Sequence, residues 1–188
     1  MSNSSTSRRE FLRRMSLLTA TAAVSGLAPL TVEAARKVKP RKIAPSEKVN
    51  LACVGIGFRG GEIIRDLYET GHCNIVALCD VDMGAPHTEA ILKQFPDVPR
   101  FNDFRQMFDK MAAKIDAVSV GTPDFSHFPA TMLAMSLGKH VYVEKPLAHT
   151  FEEVNLMMKA ARKYGVVTQM GNQGHSEANY FQFKAWKE

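Results

Sequence analysis

Residues Val49–Gly60 read VNLACVGIGFRG. A short, mostly apolar run enters three glycines spaced as GxGxxG. The next segment, Gly61–Glu69 (GEIIRDLYE), places Ile63, Ile64, Leu67 and Tyr68 at helical spacing. A glycine turn of this spacing is weak evidence alone, but between a strand and a helix it has a mechanical meaning. Gly55 permits a tight turn, Gly57 lets backbone approach a pyrophosphate, and Gly60 lets the helix pack close to the strand. The helix N-terminus then offers free N–H groups to phosphate oxygens. A glycine-rich turn without a ligand is the alternative.

Downstream the alternation continues. NIVALCD (Asn74–Asp80), IDAVSVG (Ile115–Gly121), HVYV (His140–Val143) and VVTQM (Val166–Met170) read as strands. Pro86–Phe95, Asn102–Ala113, Ser126–Leu137 and Thr150–Tyr164 read as helices, with Asn102 a candidate cap and Gly138 and Gly165 suited to helix ends. Strands separated by helices imply right-handed crossovers and a parallel sheet. Continuous apolar strands imply a sheet covered on both faces. The expected class is α/β, a doubly wound parallel sheet, which binds ligands beyond the carboxyl ends of its strands.

Upstream the character changes. Residues 1–48 hold ten Lys/Arg against three Asp/Glu, whereas residues 49–188 hold fourteen against sixteen. The net charge of +5 therefore resides in the leader, and the body lacks the basic face that nucleic acid requires. Ser7–Arg13 (SRREFLR) carries adjacent arginines, Met15–Leu30 is moderately apolar, and small residues surround Val32–Ala34. Residues 1–34 look like a twin-arginine export signal, too short and polar for a stable membrane span. A basic amphipathic or disordered tail is the competing reading. Residues 35–48, with two prolines and many charges, read as a linker. Cys53, Cys73 and Cys79 have no metal-ligand spacing, so buried inert thiols are expected and no metal site.

The chemistry stands at the strand ends. Asp80 follows the second strand, twenty residues beyond Gly60. A carboxylate there accepts hydrogen bonds from ribose hydroxyls and repels a 2′-phosphate, which favours NAD over NADP. Asp82 is a second candidate, and S-adenosylmethionine proteins and flavoproteins share the same pattern. Later strand ends carry Thr122-Pro123-Asp124-Phe125-Ser126-His127, Glu144-Lys145-Pro146 and Gly171-Asn172-Gln173-Gly174-His175. Convergence of such groups on one edge points to a site, although Asp124 or Ser126 alone can cap a helix.

Taken in order, VGIGFRG, ALCDVD, GTPDFSH and VEKPL resemble the Gfo/Idh/MocA oxidoreductases over residues 49–175 or so. The resemblance implies a dinucleotide-binding Rossmann domain at 49–171 and an incomplete C-terminal substrate domain beginning at 172–188. It implies NAD(P) as cofactor, with NAD favoured by Asp80, and a sugar, polyol or related carbohydrate as substrate. Gly55, Gly57 and Gly60 would hold the pyrophosphate, Asp80 the ribose, and Thr122, Pro123 and Asp124 would lie along the cofactor. Lys145 would stand near the nicotinamide as proton relay or positioning group. Phe58, Arg59, Glu144 and Asn172 complete the cofactor-lining set, with Glu144 read as a structural partner rather than a base. Phe125 departs from the histidine frequent in that motif, and His127 is equally a ligand or a packing residue. An NAD-dependent glycosidase or lyase and a non-catalytic nucleotide-binding fragment are the alternative functions. Export machinery is an expected partner, the periplasm the expected location, and the complete protein a candidate homo-oligomer. The last helix, Ala178–Glu188, would leave Tyr180, Phe181, Phe183 and Trp186 exposed and binding apolar dyes.

Overall fold

The computed structural model describes residues 39–187. The stretch expected to be an export signal at 1–34, with its expected cleavage site, and the first part of the expected linker lie outside the described residues. Among the described residues six strands run β1 (Val49–Val54), β2 (Cys73–Cys79), β3 (Arg100–Phe101), β4 (Ala117–Val120), β5 (His140–Glu144) and β6 (Thr168–Gly171). They form one sheet of order β3-β2-β1-β4-β5-β6, and every pairing is parallel. The doubly wound class expected from the sequence is therefore observed.

The helices are α1 (Phe58–Glu69), α2 (Glu89–Gln94), α3 (Phe104–Met111), α4 (His127–Ser136), α5 (Phe151–Tyr164) and α6 (Ala178–Lys187). Side-chain alternation along β1 sorts them into two layers. Leu51 and Cys53 face a cluster with Ile64 of α1 and Ile91 of α2. Ala52 and Val54 face a larger cluster with Met107 and Phe108 of α3, Ala130, Ala134 and Met135 of α4, and Met157 and Ala160 of α5. The register between β1 and β2 shifts after Leu51, whose partner is Ile75, while Ala52 pairs with Ala77. The extra residue, Val76, returns Leu78 to the face that Ile75 already occupies.

Several element ends differ from the sequence reading. α1 starts at Phe58, inside the glycine turn, because Gly57 is its N-cap. α2 starts only at Glu89, since Ala85–Thr88 form a turn in which Thr88 donates to the Ala85 carbonyl at 2.8 Å. Asp103, not Asn102, caps α3 by accepting from the Arg105 amide at 2.8 Å. Asn102 instead donates its amide to the carbonyls of Asp80 and Val81. α5 carries a capping box between Thr150 and Glu153 and ends at Gly165 in the left-handed region, φ 66°. The two-residue strand β3 was absent from the sequence reading, because so short a pairing leaves no periodic signal.

The described part of the stretch read as a linker is anchored to the sheet. Arg41 donates to both carboxylate oxygens of Asp116 at 2.6 and 2.8 Å, and the Asn50 amide donates to the same carboxylate at 2.9 Å. Asp116 is buried just ahead of β4. The Arg41 hydrogen bonds outweigh the opposing effect of burial, and with the Asn50 amide they hold its carboxyl below the usual carboxylate range. A depressed carboxylate contributes stability above its unfolded value and loses it as pH falls through the folded one. Asp116→Asn is expected to cost about 1–2 kcal/mol at neutral pH, at the low end because solvent screens the arginine. The gap to the parent should close in acid, below the ordinary aspartate range. Chemical denaturation across pH checks this.

All three cysteines are free and buried. Burial pushes the thiols of Cys53 and Cys79 up to about 12, so both stay protonated and inert, as expected. On α6, Phe183 is 64% and Trp186 82% exposed, with Tyr180 and Phe181 also exposed. No helix among the described residues is long and apolar enough to cross a membrane.

Candidate functional site

Along the chain β1 leads to β2 on one side, and β4 lies on its other side. The strand order reverses between β1 and β4, where doubly wound sheets open their binding crevice. A cavity of about 440 Å³ lies there, over the carboxyl ends of β1, β2 and β4. Of the cofactor residues expected from the sequence, Gly55, Gly57, Phe58, Asp80, Thr122 and Pro123 line it, as does the alternative acid Asp82.

The glycine turn is packed backbone to backbone. Gly55 has φ +80°, and a Cβ on it would lie 2.6 Å from the Thr122 amide nitrogen. A Cβ on Gly60 would overlap the Gly55 carbonyl oxygen and stand 3.2 Å from that of Gly121. A Cβ on Gly121, at the end of β4, would lie 2.6 Å from the Gly60 Cα. Gly121 is thus a fourth member of the turn, missed because it is distant in sequence. Its signal was a glycine directly after a buried strand. Gly57 has a different neighbour from the one expected: a Cβ there would overlap the His87 ring. His87 stacks on Phe58 at 4.8 Å between centroids and 10° between planes. Phe58 itself is 77% exposed and has φ 44°, a left-handed conformation that costs a non-glycine residue roughly 1–2 kcal/mol. His87, Asn102 and Arg105 also line the cavity and were not among the site residues expected from the sequence.

Asp80 supports the turn directly. Its Oδ2 accepts from the Ile56 amide at 2.9 Å and its Oδ1 from the Asp82 amide at 3.0 Å. A carboxylate has about four lone-pair positions, which leaves acceptors for a ribose. Asp80→Ala is expected to lower NAD affinity roughly tenfold or more, since charge-assisted hydrogen bonds are lost on both sides. The preference over NADP should narrow as well, because repulsion of a 2′-phosphate is removed. Parallel titrations with the two nucleotides check both.

Other predicted residues stand outside the cavity wall. Arg59 does not line the cavity and pairs with Glu62 at 2.6 Å and Glu144 at 3.3 Å. Glu144 is buried at the end of β5 and also accepts from the Lys145 amide at 2.9 Å and from the Gln173 side chain. Burial pushes this carboxyl up, but the bonds from Gln173, the Lys145 amide and Arg59 prevail and hold it below the usual range. Glu144 is therefore an ionised hub that joins Arg59, Gln173 and the Lys145 amide. Gln173 also donates to the Tyr142 hydroxyl at 3.2 Å. Lys145 is exposed beyond β5 and joins Pro146 through a cis peptide bond. Asp124 is exposed, 3.6 Å from His149, and Asn172 is exposed after β6. Gly60 lies beneath the turn rather than on the wall.

The residues fit a dinucleotide. No side chain caps the N-terminus of α1, so its first amides remain available to a pyrophosphate. The buried Thr122 Oγ1, at the cavity wall, has no hydrogen-bond partner among the described residues. The family described as "Oxidoreductase family, NAD-binding Rossmann fold" (GFO_IDH_MocA) matches residues 49–172. The chain belongs to the Gfo/Idh/MocA oxidoreductase family. Among its relatives, a glycosyl hydrolase family 109 protein of Shewanella amazonensis (strain ATCC BAA-1098 / SB2B) is 28% identical, covering 96% of this chain and 47% of that protein. The D-glucoside 3-dehydrogenase of Escherichia coli (strain K12) is 31% identical over 65% of this chain and 34% of its own length. A dehydrogenase from Chromobacterium violaceum superposes with a TM-score of 0.66 and 29% identity, covering 76% of this chain and 41% of that one. A myo-inositol 2-dehydrogenase from Lactobacillus plantarum gives 0.64 and 26%, covering 74% of this chain and 40% of that one. The Gfo/Idh/MocA chain described here spans less than half the length of each of these proteins.

Proposed function

We propose that this chain is the nucleotide-binding part of an NAD-dependent oxidoreductase that moves hydride between nicotinamide and a carbon of a sugar, polyol or related carbohydrate. One observation carries the reading. The candidate groups follow one another in sheet order: Asp80 after β2, the glycine turn after β1, Thr122 after β4 and Lys145 after β5. An extended dinucleotide laid along that edge has its ribose at one end and its reactive ring towards the other. The dehydrogenase names among the relatives support the substrate class.

Bound NAD supplies the hydride acceptor. The chain's own part is to orient it: the amides at the start of α1 take the pyrophosphate, Asp80 the adenosine ribose, and Thr122 with Pro123 the middle of the molecule. Lys145 takes or orients the proton of the substrate hydroxyl as the carbon–hydrogen bond breaks. Residues 49–171 form the nucleotide domain in this reading, and 172–188 open the substrate domain. The paired arginines of Ser7–Arg13 support export by the twin-arginine route into the periplasm. That route carries folded proteins, so the cofactor travels with the enzyme. Association into a homo-oligomer belongs to the same proposal for the complete protein.

The whole protein should purify with nucleotide bound, released and measured by absorbance after denaturation. Incubated with sugars and polyols it should reduce that nucleotide to NADH; a preparation without nucleotide or turnover refutes the reading. Similarity to glycosyl hydrolase family 109 proteins over 96% of the chain favours a second reading, a glycosidase that uses NAD transiently. Cleavage of a glycoside without net NADH selects that reading.

A further inference from the structure

His127 opens α4 and is 1% exposed. Its Nδ1 lies 2.6 Å from the Pro146 carbonyl oxygen and its Nε2 lies 2.7 Å from that of Thr122. The ring therefore meets two main-chain acceptors in two different loops. Thr122 follows β4 at the cavity wall, and Pro146 follows Lys145 after β5. The ladder between β4 and β5 ends at the pair Val120–Val143. Beyond that pair the ladder stops, and the imidazole bridges the two segments that follow. A neutral ring donates at one contact, and protonation supplies a donor at the other. A phenyl ring of similar size would fill the space and leave both carbonyls without this partner. Capping does not explain the residue, because Ser126 holds the N-cap position and His127 bonds to neither end of its own helix.

We propose that His127 is a positioning residue, an internal clasp that ties the loop carrying Thr122 to the loop carrying Lys145 and so sets Lys145 against the cofactor edge. The functional half of this rests on the oxidoreductase reading above; the structural half does not.

Two variants separate the effects. His127→Phe keeps ring bulk and removes both ring nitrogens, whereas His127→Gln keeps an amide able to reach one carbonyl. Hydrogen exchange read by mass spectrometry, without substrate, should speed up over both 121–124 and 144–149 in His127→Phe. His127→Gln should restore part of the protection. Exchange unchanged in either segment overturns the clasp, whatever the protein's activity. In the whole protein, His127→Phe should lower kcat about tenfold to a hundredfold, the usual range for a displaced catalytic group, while KM for NAD moves less. Placed on Lys145→Ala, it should cost nothing further, since groups that act as one unit are not additive. Losses that multiply overturn the positioning role. If His127→Phe does not fold, His127→Gln carries both arms against the parent, with intermediate effects expected. A parent protein that turns over no carbohydrate refutes the oxidoreductase reading, and the exchange measurement still decides the clasp.

Discussion

Gly60→Ala should be the most destabilising single-methyl substitution in the nucleotide domain. The added Cβ would overlap the Gly55 carbonyl oxygen and press on the carbonyl of Gly121 at 3.2 Å. Both obstacles are backbone, and Gly55 is itself pinned, with φ +80° and no space beside the Thr122 amide. Nothing at this contact can rotate out of the way, unlike the imidazole that faces Gly57. Overpacking of this kind costs about 3 kcal/mol at its upper end. For a chain of this size that lowers the melting temperature by about 6–12 °C. The turn must also shift away from β4, so NAD binding should fall together with stability. Gly174→Ala is the control, because a Cβ there meets nothing within 4 Å. Equal melting temperatures for the two variants would refute the packing argument.

The same turn marks what a sequence can disclose. Its local parts were legible: strand, GxGxxG, helix and an acid twenty residues on are all written in neighbouring residues. The parallel sheet followed from alternation, and the order of groups along its edge followed from the sheet. Contacts between residues distant in sequence were not legible. Gly121 belongs to the turn only because β4 lies beside β1. Arg59 was expected to line the cofactor, yet its side chain pairs with Glu144, 85 residues away, and does not line the cavity. Arg41 and Asp116, 75 residues apart, carry no common pattern at all. His127 had the right motif, but its role depends on where two loops come to rest after their strands end.

Lys145→Ala should cost the most activity. The backbone of Lys145 is fixed while its side chain is free, as a proton-handling group requires. Its amide donates to Glu144 at 2.9 Å, and Glu144 is held ionised by Gln173, that same amide and Arg59. Among the described residues its Nζ has no hydrogen-bond or ion-pair partner. The ammonium is thus available to a substrate hydroxyl rather than spent on the fold. Loss of a positioned acid–base group lowers kcat by roughly 10²–10⁴-fold. NAD binding should persist, because the cavity wall is formed by β1, β2 and β4 and does not include Lys145. Lys145→Arg should not restore turnover: guanidinium keeps the charge but gives up a proton far less readily than an ammonium. Single-turnover measurements with NAD bound beforehand separate the possibilities. Unchanged turnover in Lys145→Ala removes the residue from the mechanism. Loss of NAD binding together with turnover would instead make it a cofactor anchor. Retained binding with lost hydride transfer would place the proton step at the end of β5.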